Sequence, residues 1–244
     1  MNVAVLQLDI EWENKTANYT KIRTVLTAAC LPPDTLVVLP EMAATGFTLN
    51  LALAEDSGAA LAAIARDYQI NLLAGLVRHR RNLAALFNAH GHEVTAYAKR
   101  HPFRPGGEAV EAGTEPVTVP CGEFQLAPAI CYDLRFPEVF RDCTRHGANL
   151  FAVIASWPTS RIDHWLALLK ARAIENQAYV IGANRCGRDP GNDYPGYSQI
   201  ISPRGEVLSE AVTAEGVIQA QLNLPALEEY RQKFPALADL HRPA

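Results

Sequence analysis

The chain has 244 residues, 49 % hydrophobic and 20 % charged, a globular composition that excludes a disordered, collagen-like or small disulfide-stapled chain. Its 22 Lys and Arg against 26 Asp and Glu leave a net charge of −4, and its basic cluster, Arg78-His79-Arg80-Arg81, is short and free of aromatics, so nucleic acid is not an expected partner. No run nears the ~18 apolar residues of a membrane span, and the N-terminus lacks a basic signal-type segment, which predicts a cytoplasmic protein with no membrane partner.

A strand is predicted over residues 3–8, where apolar residues run and alternate. Ile22, Val25, Leu26 and Ala29 form one stripe of a helix that Leu31-Pro32-Pro33-Asp34 ends before a strand over 35–39. Ser57 suits the N-cap of a helix carrying Leu61, Ile64, Ala65 and Tyr68 on one face, with a strand over 70–77 after it. Residues 83–89 and 94–97, around a turn at Gly91, read as a hairpin. Strands are then predicted over 116–120 and 124–130, a helix from near Phe136, a strand over 150–154, a helix over 163–177 and a strand over 179–183. Strands over 199–201 and 206–208 flank the turn Pro203-Arg204-Gly205, and a strand over 215–222 and a helix over 224–233 complete the set. With no linker and no repeat, one α/β domain over residues 1–244 with mixed sheets is expected.

Five cysteines, Cys30, Cys121, Cys131, Cys143 and Cys186, include no C-x-x-C pair and fit neither a disulfide framework nor a structural zinc site. Cys131 ends the apolar run Ala127-Pro128-Ala129-Ile130 and precedes Tyr132-Asp133-Leu134-Arg135-Phe136-Pro137-Glu138. A thiol at a strand end turning into a helix is either a nucleophile with a pKa lowered by the helix end or a buried inert thiol; the other four read as structural. Glu41, in Leu39-Pro40-Glu41-Met42, follows an apolar strand, where partial burial suits a proton acceptor, although a loop cap satisfies the same position. Lys99, after Val94-Thr95-Ala96-Tyr97-Ala98, is either a solvated surface charge or a cation that stabilises a developing oxyanion. No G-x-S-x-G, G-x-x-x-x-G-K-[ST] or H-E-x-x-H motif occurs, and His90-Gly91-His92 reads as exposed turn, so no metal is expected.

Taken together, Leu39-Pro40-Glu41-Met42, Tyr97-Ala98-Lys99-Arg100-His101-Pro102-Phe103 and Cys131-Tyr132-Asp133-Leu134-Arg135-Phe136-Pro137-Glu138 resemble, in order, the Glu, Lys and Cys motifs of the nitrilase superfamily of carbon-nitrogen hydrolases. Gly107-Glu108, Arg172-Ala173-Ile174-Glu175-Asn176-Gln177 and Ser202-Pro203-Arg204-Gly205-Glu206 resemble further family markers. The resemblance implies a four-layer α-β-β-α sandwich in which Glu41 takes the Cys131 proton and the thiolate attacks an amide carbonyl. It further implies an oxyanion held by Lys99 and the Tyr132 backbone N–H, with Glu108 orienting Lys99 or assisting the proton transfers. It implies no metal or organic cofactor, and a homodimer.

Thr45-Gly46-Phe47, Trp157-Pro158, His164-Trp165 and Glu229-Tyr230-Arg231-Gln232-Lys233-Phe234-Pro235 extend the likeness to the omega-amidases, with departures at Ala98 and Pro102. The implied substrates are small 2-oxo acid amides, 2-oxoglutaramate and 2-oxosuccinamate, with deaminated glutathione as the alternative. Arg161, after the strand at 150–154, is a candidate partner for the substrate carboxylate or else a local helix cap. Phe47, Phe136 and Trp157 are candidate pocket walls. A rival arrangement pairs Cys131 with His164 as its base. A non-catalytic binding protein is disfavoured by the presence of all three reactive positions.

Overall fold

A computed structural model describes residues 1–240. Strand β1 (Asn2–Gln7) leads into helix α1 (Lys15–Ala29), whose first turn is capped by the Asn14 side chain accepting from the Ala17 amide. Strand β2 (Leu36–Val38), the short helix α2 (Leu51–Ala54) and helix α3 (Gly58–Asp67) follow, then β3 (Asn71–Arg78), β4 (Arg81–Phe87) and β5 (Glu93–Ala98). The second half runs β6 (Val119–Cys121), β7 (Phe124–Ile130), α4 (Pro137–Arg145), β8 (Leu150–Ala155), α5 (Ile162–Asn176) and β9 (Tyr179–Asn184). A small ribbon of β10 (Cys186–Arg188) and β11 (Asp193–Pro195) precedes β12 (Ser198–Ile201), β13 (Val207–Ala211), β14 (Gly216–Gln221) and α6 (Leu224–Lys233).

Two six-stranded sheets result, ordered β14-β1-β2-β3-β4-β5 and β13-β12-β9-β8-β7-β6. Read from β14 and from β6, both run antiparallel, parallel, parallel, antiparallel, antiparallel. The strand alternation sorts their side chains into layers. Val3, Val5, Leu36 and Val38 of the first sheet meet Leu126, Ile130, Leu150, Ala152 and Ile154 of the second. On the outer faces, Ala4, Leu6, Val37 and Leu39 pack with Ile22, Leu26, Leu61 and Ile64 of α1 and α3. Ala127, Ala129, Phe151 and Val153 pack with Val139, Phe140, Trp165 and Leu169 of α4 and α5. This is the expected four-layer α-β-β-α sandwich with mixed sheets.

Several local expectations are corrected. The strand read over 116–120 is Val119–Cys121, and the helix near Phe136 begins at Pro137 behind a separate 3₁₀ turn, Cys131–Arg135. Ser57 precedes α3 but makes no side-chain capping bond. Helix α2 and the β10–β11 ribbon were not anticipated: one is a single turn, and the other two strands of three residues around Asp189-Pro190-Gly191-Asn192. The basic cluster is the β3–β4 turn itself. His79 and Arg80 take positive φ of 49° and 56°, as a two-residue hairpin of this hand requires, and Arg78 reaches Glu93 at 2.7 and 2.9 Å.

Candidate active site

The three motif residues and Glu108 converge between the sheets. Glu41 lies three residues past β2, Cys131 directly past β7 and Ser156 directly past β8, which are carboxyl ends of parallel strands, where α/β sheets leave crevices for ligands. Lys99 follows β5 on the same alternation as Tyr97, whose ring is in the inter-sheet core. Instead of the partial burial expected for Glu41, Glu41 and Lys99 are both 0 % exposed and Glu108 is 1 % exposed. Lys99 Nζ donates to Glu41 Oε1 at 2.8 Å and to Glu108 Oε2 at 2.9 Å. The Ser156 amide donates to Glu41 Oε2 at 3.0 Å, and the Ser156 carbonyl is 4.0 Å from Cys131 Sγ. Burial opposes the Lys99 charge, but the Glu41 and Glu108 carboxylates that Lys99 bonds outweigh it and hold the ammonium well above the ordinary lysine value.

Asn82, one residue ahead of the strand read at 83–89, completes this cluster and was not anticipated. Its Nδ2 donates to Glu41 Oε1 at 2.8 Å and to Glu108 Oε1 at 2.7 Å. The sequence signal was present: Asn82 shares its face of β4 with Ala84 and Leu86, both in the inter-sheet core, and a polar side chain at an inward position calls for a polar partner. Asn82 Oδ1 is buried without a hydrogen bond, an arrangement that costs about 1–3 kcal/mol.

Cys131 is the half-buried member of five free thiols; Cys30 is exposed and the other three are buried. Its backbone adopts φ of 47°, a left-handed conformation that costs a non-glycine residue about 1–3 kcal/mol and persists only where the surroundings impose it. Asp133 supplies that constraint. It accepts from the Ile130 amide at 3.1 Å and the Tyr97 hydroxyl at 2.9 Å, and from the His101 amide at 2.8 Å, with His101 Nδ1 at 3.0 Å. One buried carboxylate thus ties the cysteine turn to the strand and loop that carry Lys99.

The expected lowering of the Cys131 pKa is corrected. Burial and the neighbouring Glu41 carboxylate push the thiol well above its ordinary value, and Lys99 only partly offsets them. The helix-end argument fails because a short 3₁₀ turn, not the helix α4, follows the cysteine, while the desolvated site already holds two carboxylates. Burial also raises Cys121, Cys143 and Cys186, each to about 11, in keeping with structural thiols.

A cleft leads to Cys131. Its inner end is bordered by Phe103, Cys131, Tyr132, Arg135, Trp157 and Arg161. It continues into a cavity of about 580 Å³ that Phe47, Phe103, Ser156, Arg161, Asp189 and Tyr194 help to line. Phe47 lines the cavity and Trp157 the pocket beside Cys131. Phe136 is not among the lining residues; its ring stacks on His101 at 3.8 Å between centroids and braces the loop after Lys99. Arg161 sits over Phe103 at 5.5 Å and has no carboxylate partner among the described residues. His164, the rival base, is exposed, with Nδ1 3.2 Å from Arg135 Nη1 and not in contact with Cys131. Among the described residues, no group of three His, Cys, Asp or Glu is placed to hold a metal ion.

The four-layer sandwich is a fold shared with carbon-nitrogen hydrolases, and here it holds a buried Glu-Lys-Glu set beside a cysteine. The carbon-nitrogen hydrolase family model matches residues 2–232, and the chain belongs to that family. It is 35 % identical to the 2-oxoglutaramate amidase of Bacillus subtilis, over 98 % of this chain and 97 % of the relative. It is 38 % identical to the omega-amidase YafV of Escherichia coli K12, over 98 % of this chain and 96 % of the relative. A crystal structure of a CN-hydrolase superfamily protein from Xanthomonas campestris, with an arsenic adduct in its active site, superposes with a TM-score of 0.92 at 30 % identity, covering 100 % of this chain and 98 % of that one.

Proposed function

We propose that the protein is an amidase that hydrolyses the terminal amide of a small 2-oxo acid amide, such as 2-oxoglutaramate or 2-oxosuccinamate, through a thioester on Cys131. The observation that carries this reading is the Lys99 ammonium, wholly buried between Glu41 and Glu108 beside the Cys131 thiol. Because the thiol is neutral at rest, a base must accept its proton as sulfur attacks the amide carbon, and Glu41 is the carboxylate that fills this role. Two of the three Lys99 N–H bonds go to Glu41 and Glu108, leaving one for the oxyanion, which the Tyr132 backbone N–H also stabilises. Glu108 orients Lys99. As the tetrahedral intermediate collapses, Glu41 returns the proton to the departing nitrogen and ammonia leaves. Glu41 then draws a proton from water, which attacks the thioester carbon and releases the carboxylic acid and the thiol.

The substrate class is supported by the names of the relatives and by the guanidinium of Arg161 in the cavity wall, which has no carboxylate partner among the described residues and whose planar fork matches one. Ammonia release from 2-oxoglutaramate, 2-oxosuccinamate, deaminated glutathione and neutral short-chain amides tests it. The 2-oxo acid amides are expected to be turned over fastest, and Arg161→Ala is expected to lower kcat/KM for them at least tenfold while sparing neutral amides. Higher kcat/KM for deaminated glutathione, or an unchanged preference in Arg161→Ala, contradicts the corresponding assignment. We further propose that the chain is one domain that functions as a homodimer in the cytoplasm. Exposed Ile174 on α5 and exposed Phe234 after α6 are apolar side chains that pairing through these elements would cover, and no helix among the described residues is long and apolar enough to cross a membrane.

A further inference from the structure

Asn82 donates once to each glutamate, and the four carboxylate oxygens are unevenly filled. A carboxylate oxygen offers about two acceptor sites. Glu41 Oε1 accepts from Lys99 and Asn82, and Glu108 Oε2 accepts from Lys99 and from the Phe103 amide at 2.5 Å, so both oxygens are filled. Glu108 Oε1 receives Asn82 alone, and Glu41 Oε2 receives the Ser156 amide alone. Of these two half-filled oxygens, Glu41 Oε2 is the one joined through Ser156 to the thiol, since the carbonyl of that residue is the Cys131 Sγ neighbour. Asn82 Oδ1 has no partner. Turning the amide over would press that oxygen against two carboxylates, so the side chain is oriented by its acceptors rather than by its own satisfaction. The backbone fixes it too, because the Lys99 amide donates to the Asn82 carbonyl at 2.9 Å.

We propose that Asn82 is a positioning residue that keeps Oε1 of both glutamates occupied, so that the proton leaving Cys131 is taken by Oε2 of Glu41. The proposal rests on the reading of Glu41 as the base for Cys131. In that step the S–H bond breaks and its electron pair forms the S–C bond to the amide carbon. The carbonyl π pair moves onto oxygen, and the proton forms an O–H bond on Glu41 before leaving with the nitrogen. The titratable side chains acting on this pair are Lys99 at the end of β5, Glu108 in the loop after it, Cys131 after β7 and Tyr194 on β11. Asn82 alone among the cluster's side chains donates to both carboxylates without carrying charge.

Asn82→Asp keeps the shape and removes both donors, so that Oε1 of Glu41 and Oε1 of Glu108 compete for the proton beside a third carboxyl group. The acid limb of kcat/KM for a turned-over amide is expected to move up by about one pH unit. A drop in kcat of tenfold or more is expected, with KM changed less than twofold. Asn82→Ser, uncharged and with one donor, is expected to shift the limb in the same direction by less. An acid limb within about 0.2 unit of the parent in either folded variant, or a defect confined to KM, overturns the proposal; so does failure of both variants to fold, which would make Asn82 a structural residue. Cys131→Ala separates this outcome from failure of the underlying reading. Activity retained in Cys131→Ala removes the cysteine chemistry altogether, whereas an inactive Cys131→Ala with unmoved limbs in the Asn82 variants removes this proposal alone.

Discussion

Lys99 is a cation without access to water, and its charge survives only because two carboxylates lie within 2.9 Å. Breaking such a buried set by removing one member typically costs about 3–5 kcal/mol, so the charges of the site are fixed by the fold rather than by solvent. The same carboxylate that stabilises Lys99 suppresses ionisation of Cys131. Burial and Glu41 hold the thiol up and Lys99 pulls it down, so replacing Glu41 by an uncharged isostere leaves the lysine opposed only by burial and the weaker push of Glu108. In Glu41→Gln the pH midpoint of Cys131 alkylation by iodoacetamide is therefore expected to move below that of the parent while amide turnover is lost; an unmoved or raised midpoint contradicts the electrostatic account. At this scale Glu41, Lys99 and Cys131 each left a structural reading open when taken alone, and the order of three motifs resembling the family's singled them out. Asn82 was missed although its inward place beside Ala84 and Leu86 on β4 was a signal, since a neutral amide announces neither charge nor nucleophile. The thiol's direction was misread because a helix start is visible in sequence, whereas burial beside a second carboxylate is not.

The elements place these residues by a shared plan. Both sheets carry three parallel strands flanked by antiparallel ones, and the site lies where β2, β7 and β8 end. Glu41 and the Ser156 amide that binds it thus emerge from the middle parallel strand of each sheet. The chain beyond β2 stays attached to β3, with the Leu39 amide donating to the Leu73 carbonyl and the Ala43 amide to the Gly75 carbonyl. Gly75 permits that approach, because a Cβ there would lie 2.4 Å from the Met42 nitrogen and 2.7 Å from the Glu41 Cα. Gly75→Ala must move one of two packed backbones. A stability loss of about 1–3 kcal/mol is expected, with kcat reduced at least tenfold and KM little changed, because a base displaced by a fraction of an ångström no longer meets the thiol. Urea unfolding and steady-state kinetics check both; a variant with parental kcat would show that the Glu41 backbone tolerates displacement. Long periodic elements were readable, as the match of residues 224–233 to α6 shows. The single turn of α2 and the β10–β11 ribbon were too short to carry a period.

Among the described residues, apolar strand faces pack sheet on sheet and sheet on helix, and the polar side chains buried away from the site, such as Gln7, Asn184 and Ser198, bond to backbone groups, including one another's. The four layers followed from family resemblance, whereas alternation in the sequence alone pointed to mixed sheets but not their stacking, in which residues as distant in sequence as Val5 and Ile130 share one core. If the chain is one domain working as a homodimer, heat should unfold it in one transition by every probe, with a midpoint that rises with protein concentration. Two resolved transitions, or a midpoint independent of concentration, would contradict that assembly. A covalent bond at Cys131 is central to the proposed reaction. Intact-mass and peptide analysis of protein quenched during turnover of 2-oxoglutaramate is predicted to show an acyl group on the peptide containing Cys131, absent from an inactive Cys131→Ala variant. Turnover by Cys131→Ala, or an acyl group found only on another residue, would contradict it.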